Sequence, residues 1–443
     1  MTTTLTATKP EADAPPKRSA RRVSWDILRV FAVFAVVVEH VTHQSQVNHP
    51  ELAGYPFTLP LQFGASTMLV ISAFFVCVTI GKGRPGRWLW NRIVRLVPAY
   101  VVAVLVTYLA SRIAVTVFNG YSYADGSWLF GVPTSGQPSA FPWYLPTGHD
   151  LLGNLLMIQA WAPSFHWIDA AYWTLPVQLV AFAVAAFLFG RRLVAGKRLP
   201  ILLWSLIVIP VVLRFTVRTD DSAQWIKSVF DGLALHRVHL FGVGIAIWLW
   251  SRNRMRGWHL SLYLLAALVA QDAHAYFTDT PSTIAFGVVL LLVCAAAGGP
   301  DWDPPFVRRL APAISWLAGI SYGVYLVHQE LGFIAARALL DMGATPVERF
   351  VVSVALAVVL GWLITKFVER PAHRLLSNAG PALVGRVRSQ FQGGQIQAGS
   401  LGGSPASPVP SPLPVNQAST VGAGPPTFGE SVPSKLPASS QSR

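Results

Sequence analysis

Three ionisable residues, Arg29, Glu39 and His40, stand inside one apolar run near the start of the chain. Charged and polar side chains in such a run are costly to place in lipid and mark functional sites by default. Arg29 and His40 are eleven positions apart. At about 100° per residue this is close to three full helical turns, so both leave the same helix face, about 16 Å apart along the axis. Glu39 is expected on a different face, and His43 and His49 in solvent beyond the run. A neutral imidazole in such surroundings is a good general base, because burial readily shifts its proton affinity. A guanidinium stays charged and needs an anion or a carbonyl beside it. The competing reading of His40 is a structural hydrogen bond between helices.

A second constellation is Arg92 and Arg95, spaced i and i+3 on one helix face just before another apolar run. Paired guanidinium groups suit phosphate oxygens, which they bind in a two-pronged geometry. The alternative is a purely topological role, the one assigned to Arg84 and Arg87. No set of His, Cys and carboxylates shows metal-ligand spacing. Cys77 and Cys294 lie in apolar runs and read as buried, inert thiols.

The elements that position these residues follow from composition. The 443-residue chain is 53% hydrophobic and only 12% charged. A soluble domain has roughly 25% charged residues. Half that fraction cannot cover a water-soluble globule of this size, which leaves an all-α polytopic membrane protein. About 20 apolar residues make one helical span, and ten spans are expected: 27–43, 61–81, 98–118, 171–190, 199–217, 233–250, 258–275, 284–297, 314–336 and 350–367. The span at 284–297 is short. The apolar segment 151–161 is too short to cross and reads as re-entrant or interfacial.

With the N-terminus inside, the cytosolic loops hold Lys82, Arg84, Arg87, Arg92 and Arg95, then Arg191, Arg192, Lys197 and Arg198. Next come Arg252, Arg254 and Arg256, then Arg308 and Arg309. The outer loops 44–60 and 119–170 contain no Lys or Arg. Loop charge sets orientation, so both termini are expected in the cytosol. The same bias accounts for the net charge of +14 without any nucleic-acid partner, since no basic face or nucleic-acid motif is present. The long outer loop holds Trp128, Trp143, Tyr144, Trp161 and Trp167. These are either interfacial anchors or a stacking platform for an acceptor such as a sugar. The chain divides into a polar arm at 1–23, a membrane domain at 24–376 and a Gly/Ser/Pro-rich cytosolic tail at 377–443. Arm and tail are expected to be disordered.

The run Ser24-Trp25-Asp26-Ile27-Leu28-Arg29-Val30, followed by His40, resembles the opening of the acyltransferase type-three family of integral membrane O-acyltransferases. That family shows an Arg, ten residues, His spacing. Its second span carries a Ser-Gly-Phe-Phe-like stretch, here Ser72-Ala73-Phe74-Phe75, and its third opens with the Arg-x-x-Arg of Arg92 and Arg95. Asn154-Leu155-Leu156 and Tyr172-Trp173-Thr174-Leu175-Pro176-Val177-Gln178 follow the family order, with Gln178 where a glutamate is usual. Ser321-Tyr322 with Tyr325-Leu326-Val327-His328, and then Glu369-Arg370-Pro371, resemble its closing motifs.

The resemblance covers about residues 24–376. It implies transfer of an acyl group, acetyl or another short chain, from acyl-coenzyme A to a hydroxyl of a sugar, lipid, polysaccharide or secondary metabolite. Acyl-coenzyme A is a co-substrate, and no tightly bound cofactor is expected. His40 and Arg29 are implied as catalytic, Arg92 and Arg95 as donor-binding, and Trp173, Gln178 and His328 as substrate-binding. Glu39 or Asp169 would stand in for the missing glutamate. The other reading of His328 is packing and hydrogen bonding with Tyr322 and Tyr325. For Glu369 and Arg370 it is an ion pair or a helix end before Pro371. The resemblance places the enzyme in a multi-pass bacterial plasma membrane, acting on the cell envelope. The rival from another class is a transporter or flippase that uses Arg29, Glu39 and His40 as a substrate or proton path.

Overall fold

The computed structural model describes residues 22–124, 126–136, 142–191, 198–275 and 279–377. The expected arm up to residue 21, the expected tail from 378, Arg192 and Lys197 lie outside the described residues. Helices dominate, as lipid requires of a backbone that must satisfy its own hydrogen bonds, and no strand occurs among the described residues. The principal helices are α1 (Val23–Glu39), α2 (Gly64–Thr79), α3 (Pro85–Phe118), α4 (Thr174–Gly190), α5 (Arg198–Thr216) and α6 (Val238–Ser251). They continue with α7 (Gly257–Ala273), α8 (Thr280–Gly298), α9 (Pro305–Val327), α10 (Glu330–Asp341) and α11 (Pro346–Ile364).

Eight helical stretches among the described residues are long and apolar enough to cross a membrane, which makes this an all-α polytopic membrane protein. The expected ten spans need correction at four places. α7 has 17 residues and is not among the eight; α1 is not either, although its helix runs on without a break past Glu39 through the expected span. α8 has 19 residues and is a full candidate span rather than the short segment expected. The expected span 314–336 is two helices, because the chain breaks at His328 and Gln329 between α9 and α10. Pro371 does not end the last helix: a π-helical turn, Thr365–Glu369, carries it on into Arg370–Leu376.

Small residues let the helix backbones approach, which is how helices pack without a water-driven force between them. A methyl group at Gly244 of α6 would strike the Val70 carbonyl and Ala73 of α2, and one at Gly323 of α9 would strike the Gly361 carbonyl of α11. The start of α1 is tied down by Asp301, whose carboxylate accepts from the amides of Val23 (2.9 Å) and Ser24 (2.8 Å). Those are first-turn donors that the helix cannot satisfy itself.

α3 is 34 residues long, so it measures about 51 Å, well beyond the roughly 30 Å of a hydrocarbon core. Its first turns carry Arg92 and Arg95. Trp90 Nε1 donates to the carbonyl of Leu376, and Gly190 packs on Pro85. The start of α3 and the ends of α4 and of the final helix thus share one end of the bundle, the basic end. At the opposite end, buried Arg349 donates to the carbonyls of Leu52 and Ala53, both at 3.0 Å, and Arg337 pairs with Glu51 at 3.1 Å. His49 is not solvated as expected. It stacks on Trp143 with ring centroids 3.7 Å apart. Burial, opposed by Glu51 and reinforced by Arg337, lowers its pKa to about 4.

Candidate functional site

α1 does not end at Glu39. It widens into a π-helical turn, His40–Gln44, a local feature that is frequent at functional sites. At the junction of the α-helix and the π-turn, His40 Nε2 lies 3.2 Å from Glu39 Oε2. The expectation that Glu39 faces elsewhere is corrected by this contact, because the two neighbouring side chains reach each other although they leave the helix at different angles.

His40 Nδ1 is 2.7 Å from His328 Nε2, and the two rings are stacked within 5° of parallel. His328 Nδ1 is 2.8 Å from the carbonyl oxygen of Tyr325. A carbonyl only accepts, so for neutral rings His328 carries its proton on Nδ1 and offers Nε2 as an acceptor. His40 must then donate from Nδ1, which leaves its Nε2 lone pair as the basic site, beside Glu39. The break between α9 and α10 makes this possible, because His328 is the residue at which α9 ends. Asp169 holds the neighbouring backbone: its carboxylate accepts from the amides of Glu330 (3.0 Å) and Ala171 (2.8 Å).

His40 and Glu39 line a cavity of about 600 Å³, together with Trp173, Gln329 and a group of polar residues from α5, α7, α8 and the segment between α5 and α6. Arg29, Arg92, Arg95 and Gln178 line a second, smaller cavity of about 130 Å³. Arg92 donates from Nη2 to Thr79 Oγ1 (3.0 Å) and lies over the rings of Trp88 and Phe182. Arg95 Nε donates to Glu369 Oε1 at 3.1 Å. The second π-turn, Thr365–Glu369, presents that carboxylate. Arg29 sits over Phe75, 4.6 Å from the ring centre, and near Asp26 at 3.9 Å.

The two cavities have no lining residue in common. The wall between them is the 3-10 turn Ala170–Trp173 with the residue after it. Ala171 and Trp173 face the larger cavity, whereas Tyr172 and Thr174 face the smaller. Tyr325, on the smaller side, closes the wall by donating its hydroxyl to the Ala171 carbonyl at 2.9 Å.

The seven residues singled out in the sequence therefore fall into two groups. His40, Trp173 and, through its hydrogen bond, His328 belong to the larger cavity. Arg29, Arg92, Arg95 and Gln178 belong to the smaller. Arg29 and His40 share a helix and not a chamber. Gln178 stands among the arginines, so the carboxylate beside His40 is Glu39, and Asp169 is engaged by backbone amides. Sequence reasoning missed Arg214, Arg218, Asp231, His236, Arg237 and His274, all on the larger cavity. The available signal was Arg218, Lys227 and Arg237, cations around a connection expected on the outer side, where loop bias disfavours them.

A helical bundle with an imidazole pair in one inner chamber and three arginines in the next is a polytopic membrane protein built around a site, not a scaffold. The family model for the acyltransferase domain matches residues 22–366, and the chain belongs to this acyltransferase type-three family. It is a membrane acyltransferase. No curated protein and no solved structure matches the chain.

Proposed function

We propose that the protein transfers a short acyl group from acyl-coenzyme A to a hydroxyl of a sugar, lipid, polysaccharide or secondary metabolite, with His40 as the general base. The observation that carries this reading is the hydrogen-bonded series from the Tyr325 carbonyl through His328 to His40, which leaves His40 Nε2 basic inside a polar cavity. The acceptor hydroxyl gives its proton to Nε2 as its oxygen attacks the thioester carbonyl. The carbon–sulfur bond then breaks, and the departing thiolate takes the proton back from the imidazolium. Glu39 offsets the positive charge that His40 carries in between, the part a carboxylate plays beside an imidazole in other acyl transfers. Bringing the two partners together at His40, across the wall between the cavities, would supply much of the rate.

Arg92 and Arg95, with Arg29 further in, would receive the donor's phosphates from the basic end, which the positive-inside bias supports as the cytosolic side, in this reading that of a bacterial plasma membrane. The smaller cavity, about 130 Å³, is below the roughly 300–1,000 Å³ of a typical ligand pocket. It suits the acyl and thioester end, with the nucleotide at the half-exposed Arg95 mouth. Family membership favours group transfer over the transporter reading.

Replacement of His40 by Ala is the direct test. Acyl transfer from radiolabelled acetyl-coenzyme A falls by about 10²-fold or more, with membrane insertion unchanged. Arg92→Gln with Arg95→Gln weakens donor binding while leaving His40 in place. Full transfer by the His40 variant would overturn the assignment, and unchanged donor binding would remove the two arginines from it.

A further inference from the structure

We propose that the end of the larger cavity where Arg214, Arg218 and Arg237 meet His236 and His274 is an anion subsite, which holds a phosphate or carboxylate carried by the hydroxyl-bearing acceptor. The inference rests on the reading of His40 as the base and narrows its acceptor to an anionic hydroxyl compound.

The first support is continuity. The three arginines line the same cavity of about 600 Å³ as His40 and Glu39, so one ligand reaches both ends. The second is placement. Arg214 and Arg218 lie at and just beyond the end of α5, on the side of the bundle where loops 44–60 and 119–170 carry no Lys or Arg. The loop bias that explains the basic end does not explain them. Arg214 Nη1 donates to the Arg218 carbonyl at 3.4 Å, which holds the two side chains at the same end of the cavity. Guanidinium groups suit the planar, two-pronged recognition of phosphate and carboxylate.

The third support is an unmet demand for hydrogen bonds. His274 lines the cavity and is 7% exposed, and neither of its ring nitrogens has a hydrogen-bond partner. His236 Nδ1, on the same wall, is also without one. Buried polar atoms are rarely left this way, because each forgoes water without a replacement. Oxygen atoms of a bound anion would supply acceptors at this point.

The acids of this end are already engaged. Asp231 takes two hydrogen bonds from Arg218, at 3.2 and 3.0 Å, and Asp279 accepts from the Ser282 amide at 3.1 Å. Arg237 is braced over Trp173, 4.9 Å from the ring centre. Trp173 thereby stands between the anion subsite and the wall toward the donor, a geometry that orients an acceptor rather than merely attracting one.

The test uses the full-length protein in lipid nanodiscs, with ligand-induced thermal stabilisation as the readout. Glucose, glucose 6-phosphate and glucuronate are compared at matched ionic strength. Discs with and without a polyprenyl-phosphate-linked glucose separate a lipid source from a soluble one. At least one anionic probe is expected to act at about tenfold lower concentration than glucose. Arg214→Gln with Arg237→Gln removes that preference, and Arg237→Lys keeps part of it. Glucose matching every anionic probe, or a preference that survives the double substitution, overturns the subsite. If the double variant does not fold, the wild-type comparison of probes decides. Stabilisation by acetyl-coenzyme A in the same samples reports on the donor separately. Its absence would count against acyl transfer, whereas donor binding without anion preference would remove the subsite alone.

Discussion

At the scale of single residues, the question is what would make His40 the proposed base. His328 is fully buried and touches the cavity only through His40, so it acts by position. Its Nε2 accepts the His40 Nδ1 proton and fixes which nitrogen of His40 is basic. Loss of that acceptor leaves the tautomer and ring angle unset. His328→Leu is therefore expected to lower kcat by about 10²–10⁴ fold, with the KM for the donor near its original value. His328→Gln, whose amide still offers an acceptor near the Nε2 position, restores part of the rate. A role limited to packing predicts instead that both variants lose stability together and that Gln gives no rescue. Steady-state kinetics on monodisperse protein distinguishes the two. The sequence showed His40 as chemistry, because a histidine in an apolar run is conspicuous. It left His328 open between chemistry and packing, because the contact joins residues 288 positions apart. Glu39 was misplaced for a different reason: a periodicity argument gives the angle at which a side chain leaves the helix, not how far a long side chain reaches toward its neighbour.

At the scale of elements, two π-turns deliver the functional side chains. One begins at His40, next to Glu39, and the other carries Glu369 against Arg95. The second depends on helices whose backbones nearly touch. Gly323 on α9 faces the Gly361 carbonyl and Thr365 Oγ1, at the start of the second π-turn. An added methyl must push α9 away from α11, and overpacking of this kind costs about 1–3 kcal/mol. Gly323→Ala is expected to lower the thermal unfolding midpoint and, since α9 carries Tyr325 and ends at His328, acyl transfer as well. Gly332 is the control: a methyl there meets nothing within 4 Å, so Gly332→Ala leaves the midpoint unchanged or slightly raised. The helices were legible from hydrophobic run length, but their ends were not. Runs of apolar residues continue across the break at His328 and Gln329, and only tertiary contacts decide where the chain turns.

The long loop between α3 and α4 adds a pH-dependent element. Asp150 caps the short helix Gly148–Leu155, accepting from the Thr147 amide and hydroxyl, Tyr144 Oη and the His166 amide. Burial opposes its charge, but these hydrogen bonds outweigh it, and the carboxyl is held below its ordinary value of 3.8. Near that value the folded loop binds fewer protons than the unfolded one. Its contribution to stability is then complete above about pH 5 and fades as pH falls through the depressed folded value. Limited proteolysis of the loop in acid should show this loss in the native protein. Asp150→Asn should show a loop already more open at neutral pH and insensitive to acid across the same window. Equal acid sensitivity in both would assign the titration to another group.

At the scale of the whole molecule, the arrangement is two chambers that meet at a thin wall. The sequence reading of a single dry pocket placed the arginines and His40 together, because helical spacing puts Arg29 and His40 on one face. It could not show that a turn of four residues, Ala170–Trp173, would come between them. In the proposed reaction the separation would have a chemical use: a thioester kept away from water and from the base until an acceptor is present would not be spent on hydrolysis. The hydrogen bond from Tyr325 to the Ala171 carbonyl holds this wall closed, and Tyr325 also supplies the carbonyl that fixes His328. Replacing Tyr325 with Phe removes the hydroxyl and keeps the carbonyl and the ring. The wall then opens more easily while the His40 tautomer is preserved. Release of free coenzyme A from acetyl-coenzyme A without any acceptor is expected to rise about tenfold, the effect of roughly 1.4 kcal/mol for one buried hydrogen bond. The increase should vanish in the Tyr325→Phe, His40→Ala double variant, because the leaked thioester still needs a base to activate water. Unchanged release in the single variant would mean that the donor reaches His40 by another path, and that Tyr325 serves the fold and not the order of events.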